Sequence, residues 1–181
     1  METLRTGGLI LEPLRAVHAE EMFALLLEPE LYEFLDYGPP PTVDHLREVY
    51  SALESRYSPD GGQLWLNWVV EKEGDGLIGY VQATVTSDGS AWIAYVLGRE
   101  SWGHGHATAA TRRMMDHLAV ACGVRRFLAA VERCNVRSLA VLRRLGFAEA
   151  AAEESSRHDL AAGERLFVAV PGVAPDPSSS G

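Results

Sequence analysis

The order of signals along the chain predicts an α/β (α+β) fold, β-α-α-β-β-β-α-β-α-β-β, and three observations carry that reading. Three β-like runs, Leu64–Lys72, Leu77–Thr86 and Ala91–Leu97, follow one another through Glu73-Gly74-Asp75-Gly76 and Ser87-Asp88-Gly89-Ser90, both of hairpin composition. The apolar period then becomes helical from Gly105 to Cys122, with Ala107, Ala110, Met114, Met115, Leu118 and Cys122 on one stripe. Gly123 and Gly146 stand where a helix end needs a left-handed residue.

The elements follow in chain order. Leu9-Ile10-Leu11-Glu12-Pro13 reads as a short strand stopped by a proline, which has no N–H for a ladder. Ala19–Leu27 puts Met22, Phe23, Leu26 and Leu27 on a helical stripe. Residues 36–41, Asp-Tyr-Gly-Pro-Pro-Pro, form a loop, because consecutive prolines suit neither a helix interior nor a central strand. Thr42 caps a second helix running to about Tyr57, with Val43, Leu46, Val49, Tyr50 and Leu53 on one face. After the meander and the long helix, Phe127–Val131 is a compact strand and Asn135–Leu145 a helix. Ala148–Ala152 and Leu166–Val170 are the last two strands.

At 181 residues, one domain over 1–170 is expected. The Pro/Ser/Gly-rich stretch 171–181 is expected to be disordered. No apolar run approaches the roughly 20 residues needed to cross a bilayer, and METLRTGG has no secretory pattern. The two cysteines, Cys122 and Cys134, match no metal motif and fit reduced thiols, so a cytoplasmic protein without metal or membrane partner is expected.

The net charge of −9 argues against nucleic-acid binding. The charge is unevenly placed. Arg99–Arg144 holds nine arginines against three carboxylates, a net of +6, while the remainder holds seven cations against 22 carboxylates, a net of −15. Such segregation points to an anionic ligand on one half and a cationic one near the other.

The chemistry concentrates where the third strand of the meander meets the long helix: Trp102-Gly103-His104-Gly105-His106-Ala107-Thr108. A helix N-terminus exposes unpaired N–H groups and about half a positive charge, so it takes phosphate readily. Gly103 and Gly105 permit close backbone approach and positive φ, which a plain turn also needs. No Lys-Ser/Thr follows a spaced glycine pair, which excludes a P-loop, and the glycines do not open a βαβ unit as a dinucleotide fingerprint would.

This loop resembles the acetyl-CoA pyrophosphate loop of the GCN5-related N-acetyltransferases (GNAT). Asn135-x-x-Ser138 with Arg144-Leu145-Gly146-Phe147 is similar to the same family's downstream signature. The opening Thr6-x-x-Leu9-Ile10-Leu11-x-Pro13-Leu14-Arg15 and the Gly-Pro-Pro-Pro loop resemble the RimJ/RimL branch of ribosomal-protein N-terminal acetyltransferases; the match runs over about residues 4 to 170. One departure is Ala109-Ala110 where many relatives carry Glu.

The resemblance implies a mixed, mostly antiparallel sheet of six or seven strands with about four helices, splayed between the fourth and fifth strands. It implies acetyl-CoA as co-substrate, an amine acceptor and a homodimer. Pantetheine would add to the edge at Tyr95, Val96 and Leu97, with the N–H near Val96 or Leu97 as oxyanion donor. Trp102, Gly103, His104, Gly105, His106, Ala107 and Thr108 would hold the diphosphate, and Arg143 and Arg144 the 3′-phosphate. Asn135 would cap its helix and touch pantetheine. Ser138 would donate a hydrogen bond to the departing sulfur, since Leu142 stands where many relatives carry tyrosine.

The base stays open among Glu132, Tyr95, His104, His106 and His158, with Glu132 the choice carried forward. His104 and His106 also read as loop residues whose backbones matter. An α-amine with pKa about 7.7–8.0 is substantially neutral at pH 7, whereas lysine at about 10.4 is not, so a weakly defined base favours α-amines. Tyr37 is the candidate substrate contact. Two alternatives remain: a same-fold enzyme acting on a polyamine, antibiotic or amino acid, and a non-catalytic coenzyme A sensor.

Overall fold

The computed structural model describes residues 1–172; the end of the expected disordered tail, 173–181, lies outside them. Eight strands form one sheet in the order β1-β2-β3-β4-β5-β6-β8-β7. They are β1 (Leu4–Thr6), β2 (Leu9–Pro13), β3 (Leu64–Lys72), β4 (Gly76–Val85), β5 (Ser90–Leu97), β6 (Arg126–Glu132), β7 (Ala148–Glu149) and β8 (Glu164–Ala169). The helices are α1 (Ala19–Leu25), α2 (Val43–Leu53), α3 (His106–Ala121), α4 (Val136–Leu145) and the one-turn α5 (Ala152–Ser155).

Three differences from the sequence reading have a local reason. Leu4–Thr6 is an additional strand, folded back on β2 by Gly7 and Gly8 at φ 49° and 79°. Helix α2 stops at Leu53 rather than near Tyr57, because Arg56 turns to φ 63° and Tyr57 bridges to Leu64. The strand expected over Ala148–Ala152 ends at Glu149; Ala150 still donates to Leu166 O at 2.9 Å, and the chain then coils into α5.

Alternation along β3 sorts the core onto two faces. Trp68 and Val70 point to one side and Val69 to the other, all fully buried, as expected of a central strand covered twice. Beneath α3 and α4 lie Trp68, Met114, Leu118, Phe127 and Leu142. Beneath α1 and α2 lie Met22, Leu26, Leu46, Tyr50 and Val69.

The functional consequence is in the middle of the sheet. β5 and β6 are the one parallel pair, and they are in register only over Ser90–Trp92 with Arg126–Leu128. Beyond that, β5 stays with β4 to Leu97 while β6 stays with β8 to Glu132. From Ile93 onward the two strands part, leaving one edge of β5 open.

Candidate active site

The ladder fixes which peptide groups that open edge offers. In an antiparallel pair, alternate residues exchange both hydrogen bonds with the partner and the intervening ones face away. Thr86 donates to Ser90 O and Gly98 to Ile78 O, both at 2.9 Å, at the two ends of the β4–β5 register. By that parity Tyr80 and Val96 bond each other. The peptide groups of Ile93, Tyr95 and Leu97 face the gap. The Leu97 carbonyl is taken by Trp102 Nε1 at 2.7 Å, which leaves the Leu97 N–H and both groups of Tyr95 for a ligand.

The end of the gap is closed by the start of α3. Gly105 at φ 81° is the residue before the helix, and no side chain accepts from the first-turn amides. Gly103 is also left-handed at 79°, a conformation that costs any residue with a Cβ about 1–2 kcal/mol. The amides of His106, Ala107 and Thr108 therefore remain without intrahelical partners, with the positive end of the helix dipole behind them. Two side-chain atoms nearby are also buried and unpartnered, Thr108 Oγ1 and His106 Nδ1. Burial, and His104 stacked 5.6 Å away, push the His106 imidazole below its ordinary pKa, so it is neutral at pH 7.

These groups line one cleft of about 310 Å³. It gathers Tyr95, Val96, Leu97, Trp102, Gly103, Gly105, His106, Ala107, Thr108, Asn135, Ser138 and Arg144 from the sequence-predicted set. Asn135 caps α4 by accepting from Ser138 N–H at 3.0 Å. Tyr95 Oη donates to the Ser138 carbonyl at 3.2 Å and ties β5 to α4 across the gap. Burial pushes the Tyr95 phenol up to about 12, so it is a donor rather than a base. Arg137 stacks 4.1 Å from the Trp102 ring centre and pairs with Glu33 at 2.9 Å, strapping the segment between α1 and α2 over the cleft.

A basic hollow adjoins the cleft. His104, Arg112, Arg113 and Arg144 line it, with Asp116 its one carboxylate. Arg112 also donates to the Arg144 carbonyl, linking α3 to the end of α4. Arg112 and Arg113 were not among the sequence-stated candidates, yet a signal existed: Arg112 lies four residues after Thr108, on the same helix face. Arg143 lines neither space, being one helical step from Arg144. Glu132 and His158 also line neither; the Glu132 carboxylate accepts from Cys134 Sγ at 3.2 Å. Tyr37 lines a third cavity on the α1–α2 face. Among the described residues no cluster of His, Cys, Asp or Glu could hold a metal ion, and no helix is long and apolar enough to cross a membrane.

An open strand edge leading to an uncapped helix mouth with a basic hollow beside it defines a class: a binder of a long ligand with a hydrogen-bonding arm and clustered phosphates. Comparison with known proteins gives that class its family. Residues 8–148 match the family described as Acetyltransferase (GNAT) domain, and the chain belongs to it. It is 28% identical over 149 residues to a Bacillus licheniformis protein described as the uncharacterized N-acetyltransferase p20, covering 81% of this chain and 83% of that one. Its fold is similar to RimL, a ribosomal L7/L12 α-N-protein acetyltransferase in complex with coenzyme A. The TM-score there is 0.78 at 19% identity, over 93% of this chain and 98% of that one. Mycobacterium smegmatis RimJ, in complex with CoA-disulfide, is similar with a TM-score of 0.75 at 24% identity, over 94% and 86% of the two chains.

Proposed function

We propose that residues 1–170 form one acetyl-CoA-dependent N-acetyltransferase domain that moves acetyl to a primary amine while both substrates are bound. The observation that carries this reading is that the free edge of β5 and the uncapped mouth of α3 open into the same cleft. The residues fit the donor. Amides of Gly103–Thr108, with the orphaned Thr108 Oγ1 and His106 Nδ1, suit a diphosphate. Arg112, Arg113 and Arg144 suit a 3′-phosphate, and the Tyr95 and Leu97 peptide groups suit the amides of pantetheine.

When bound, acetyl-CoA supplies an acetyl group activated as a thioester. The Leu97 N–H, left free by ladder parity where that of Val96 is used, donates to the acyl oxygen and strengthens as negative charge develops there. Ser138, at the first turn of α4 and on the cleft wall, donates to the departing sulfur. An alcohol is too weak an acid to be ionised near pH 7, so it supplies a hydrogen bond while water delivers the proton. A C–N bond forms as the C–S bond breaks; one amine proton leaves to water and one proton reaches sulfur. Glu132 stands outside the cleft lining, so a base role for it runs through water. That suits an α-amine, with pKa about 7.7–8.0, better than a lysine. A protein N-terminus, the kind of acceptor the RimL neighbour's description names, heads the acceptor panel. A homodimer, which the family resemblance implies, and a cytoplasmic location, read from the two cysteines as reduced thiols, belong to the same proposal; light scattering after gel filtration tests the dimer.

The decisive experiment combines calorimetry with coenzyme A and an amine panel followed by thiol release and product mass. Saturable binding and acetylated products are expected. Ser138→Ala is expected to lower kcat by about a hundredfold with unchanged coenzyme A affinity. Unchanged turnover in that variant removes Ser138 from the mechanism, and no binding of coenzyme A at millimolar concentration ends the reading.

A further inference from the structure

The face of the sheet opposite α3 holds a cavity of about 360 Å³, walled by the α1–α2 segment and by β3, β4 and β5. Leu35 and Val96 line both this cavity and the cleft, so the two spaces meet beside the strand residue next to Leu97. No Asp, Glu, Lys or Arg lines it, although such residues make up 23% of the chain; His45 is its one histidine. Four of the six tyrosines do line it: Tyr32, Tyr37, Tyr50 and Tyr80.

Their hydroxyls are not mutually satisfied. Tyr50 is 5% exposed, and its hydroxyl is buried without a partner. The Tyr37 and Tyr80 hydroxyls are 3.3 Å apart, so one donates to the other and the accepting hydroxyl keeps its own proton to give. Burial pushes the Tyr50 and Tyr80 phenols well above their ordinary range, so both stay protonated and serve as donors. A buried hydroxyl without a partner has lost its bond to water, which a ligand oxygen arriving in the cavity would restore. A cation there would lose its water and find no carboxylate.

We propose that this cavity receives the body of the acceptor. It selects primary amines carried on an uncharged, ring-sized group bearing a hydrogen-bond-accepting oxygen, and rejects amines whose body holds a second positive charge. The proposal rests on the acetyl-transfer reading above. It runs against the first impression from the chain's net charge of −9, which suits cationic acceptors in general, because those carboxylates lie elsewhere.

The test measures kcat/KM at saturating acetyl-CoA for tyramine, for a hexapeptide with N-terminal tyrosine, for phenethylamine and for spermidine. Tyramine or the peptide is expected to exceed spermidine by about a hundredfold, and loss of the phenol oxygen in phenethylamine to cost about tenfold. Either leading arm supports the shared chemistry and names its source, free amine or peptide terminus. Tyr50→Phe and Tyr80→Phe should shrink the tyramine-to-phenethylamine ratio to about threefold or less while coenzyme A affinity stays the same. Spermidine matching the better of tyramine and the peptide, or a ratio untouched in both variants, overturns the proposal while acetyl transfer stands. Absent turnover with every amine strikes the functional reading instead. Calorimetry of tyramine with the protein then decides the cavity by itself: binding weakened by Tyr50→Phe supports the assignment, and no binding removes it.

Discussion

Two helix N-termini reach the same cleft and are finished in opposite ways. At α4 the Asn135 side chain accepts from the Ser138 N–H at 3.0 Å, and at α2, further off, Thr42 does the same for His45 at 3.1 Å. At α3 the residue before the helix is Gly105 in a left-handed turn, and no side chain caps the first turn. A capped terminus has consumed a donor internally; an uncapped one keeps its amides and its positive end for something else. The difference teaches where the chain depends on an outside anion. Of the three helices of ten residues or more, α2 and α4 carry their own acceptor, and α3 leaves that place open.

The strongest way to break this asymmetry is Gly105→Val. A β-carbon there meets nothing within 4 Å, so the cost is one of backbone conformation, about 1–2 kcal/mol, and not of a clash. A branched residue is strained at φ 81°, so the turn that presents the amides is expected to shift. Coenzyme A affinity is expected to fall by at least about tenfold in calorimetry. Affinity within twofold of the unaltered protein would show that these amides hold nothing.

A second test separates amides from side chains. Arg112→Gln combined with Arg144→Gln is expected to weaken coenzyme A about tenfold at low salt and less at high salt. Binding of 3′-dephospho-coenzyme A should be little altered. Equal losses for both ligands would move the 3′-phosphate away from this hollow.

The capped termini should respond in the complementary sense. Thr42→Ala and Asn135→Ala are each expected to cost about 1 kcal/mol of stability, read as a lower urea midpoint. Coenzyme A affinity should change by no more than about threefold. An Asn135→Ala loss of affinity as large as that of Gly105→Val would dissolve the contrast. The smallest effect is expected at the strap: Glu33→Gln removes the partner of Arg137 in a half-exposed pair, for about 1 kcal/mol or less, and salt should erase the difference.

Much of the frame was readable along the chain because the signals are local. The meander, the start and stop glycines of α3 and α4 and the Asn135 cap all depend on residues within one turn or hairpin of each other. What escaped was short or depended on phase. A three-residue strand such as Leu4–Thr6 shows no period until β2 is beside it. Arg143 and Arg144 are indistinguishable as neighbours in sequence, but a helix turns about 100° per residue, and only Arg144 reaches the hollow. Arg112 and Arg113 lie some 30 residues upstream, on a different helix, and join Arg144 only through the packing of α3 on α4.

By itself the sequence determined the order of elements from β2 to α4, the glycine turn that leaves α3 uncapped, and the family resemblance, because each is written in consecutive residues. Tertiary structure alone decided that β5 and β6 part after Trp92, that Leu97 rather than Val96 offers its N–H to the gap, and that four tyrosines spread over 49 positions of chain surround one uncharged cavity. Those are matters of register, parity and enclosure. They exist only once strands distant in sequence lie side by side.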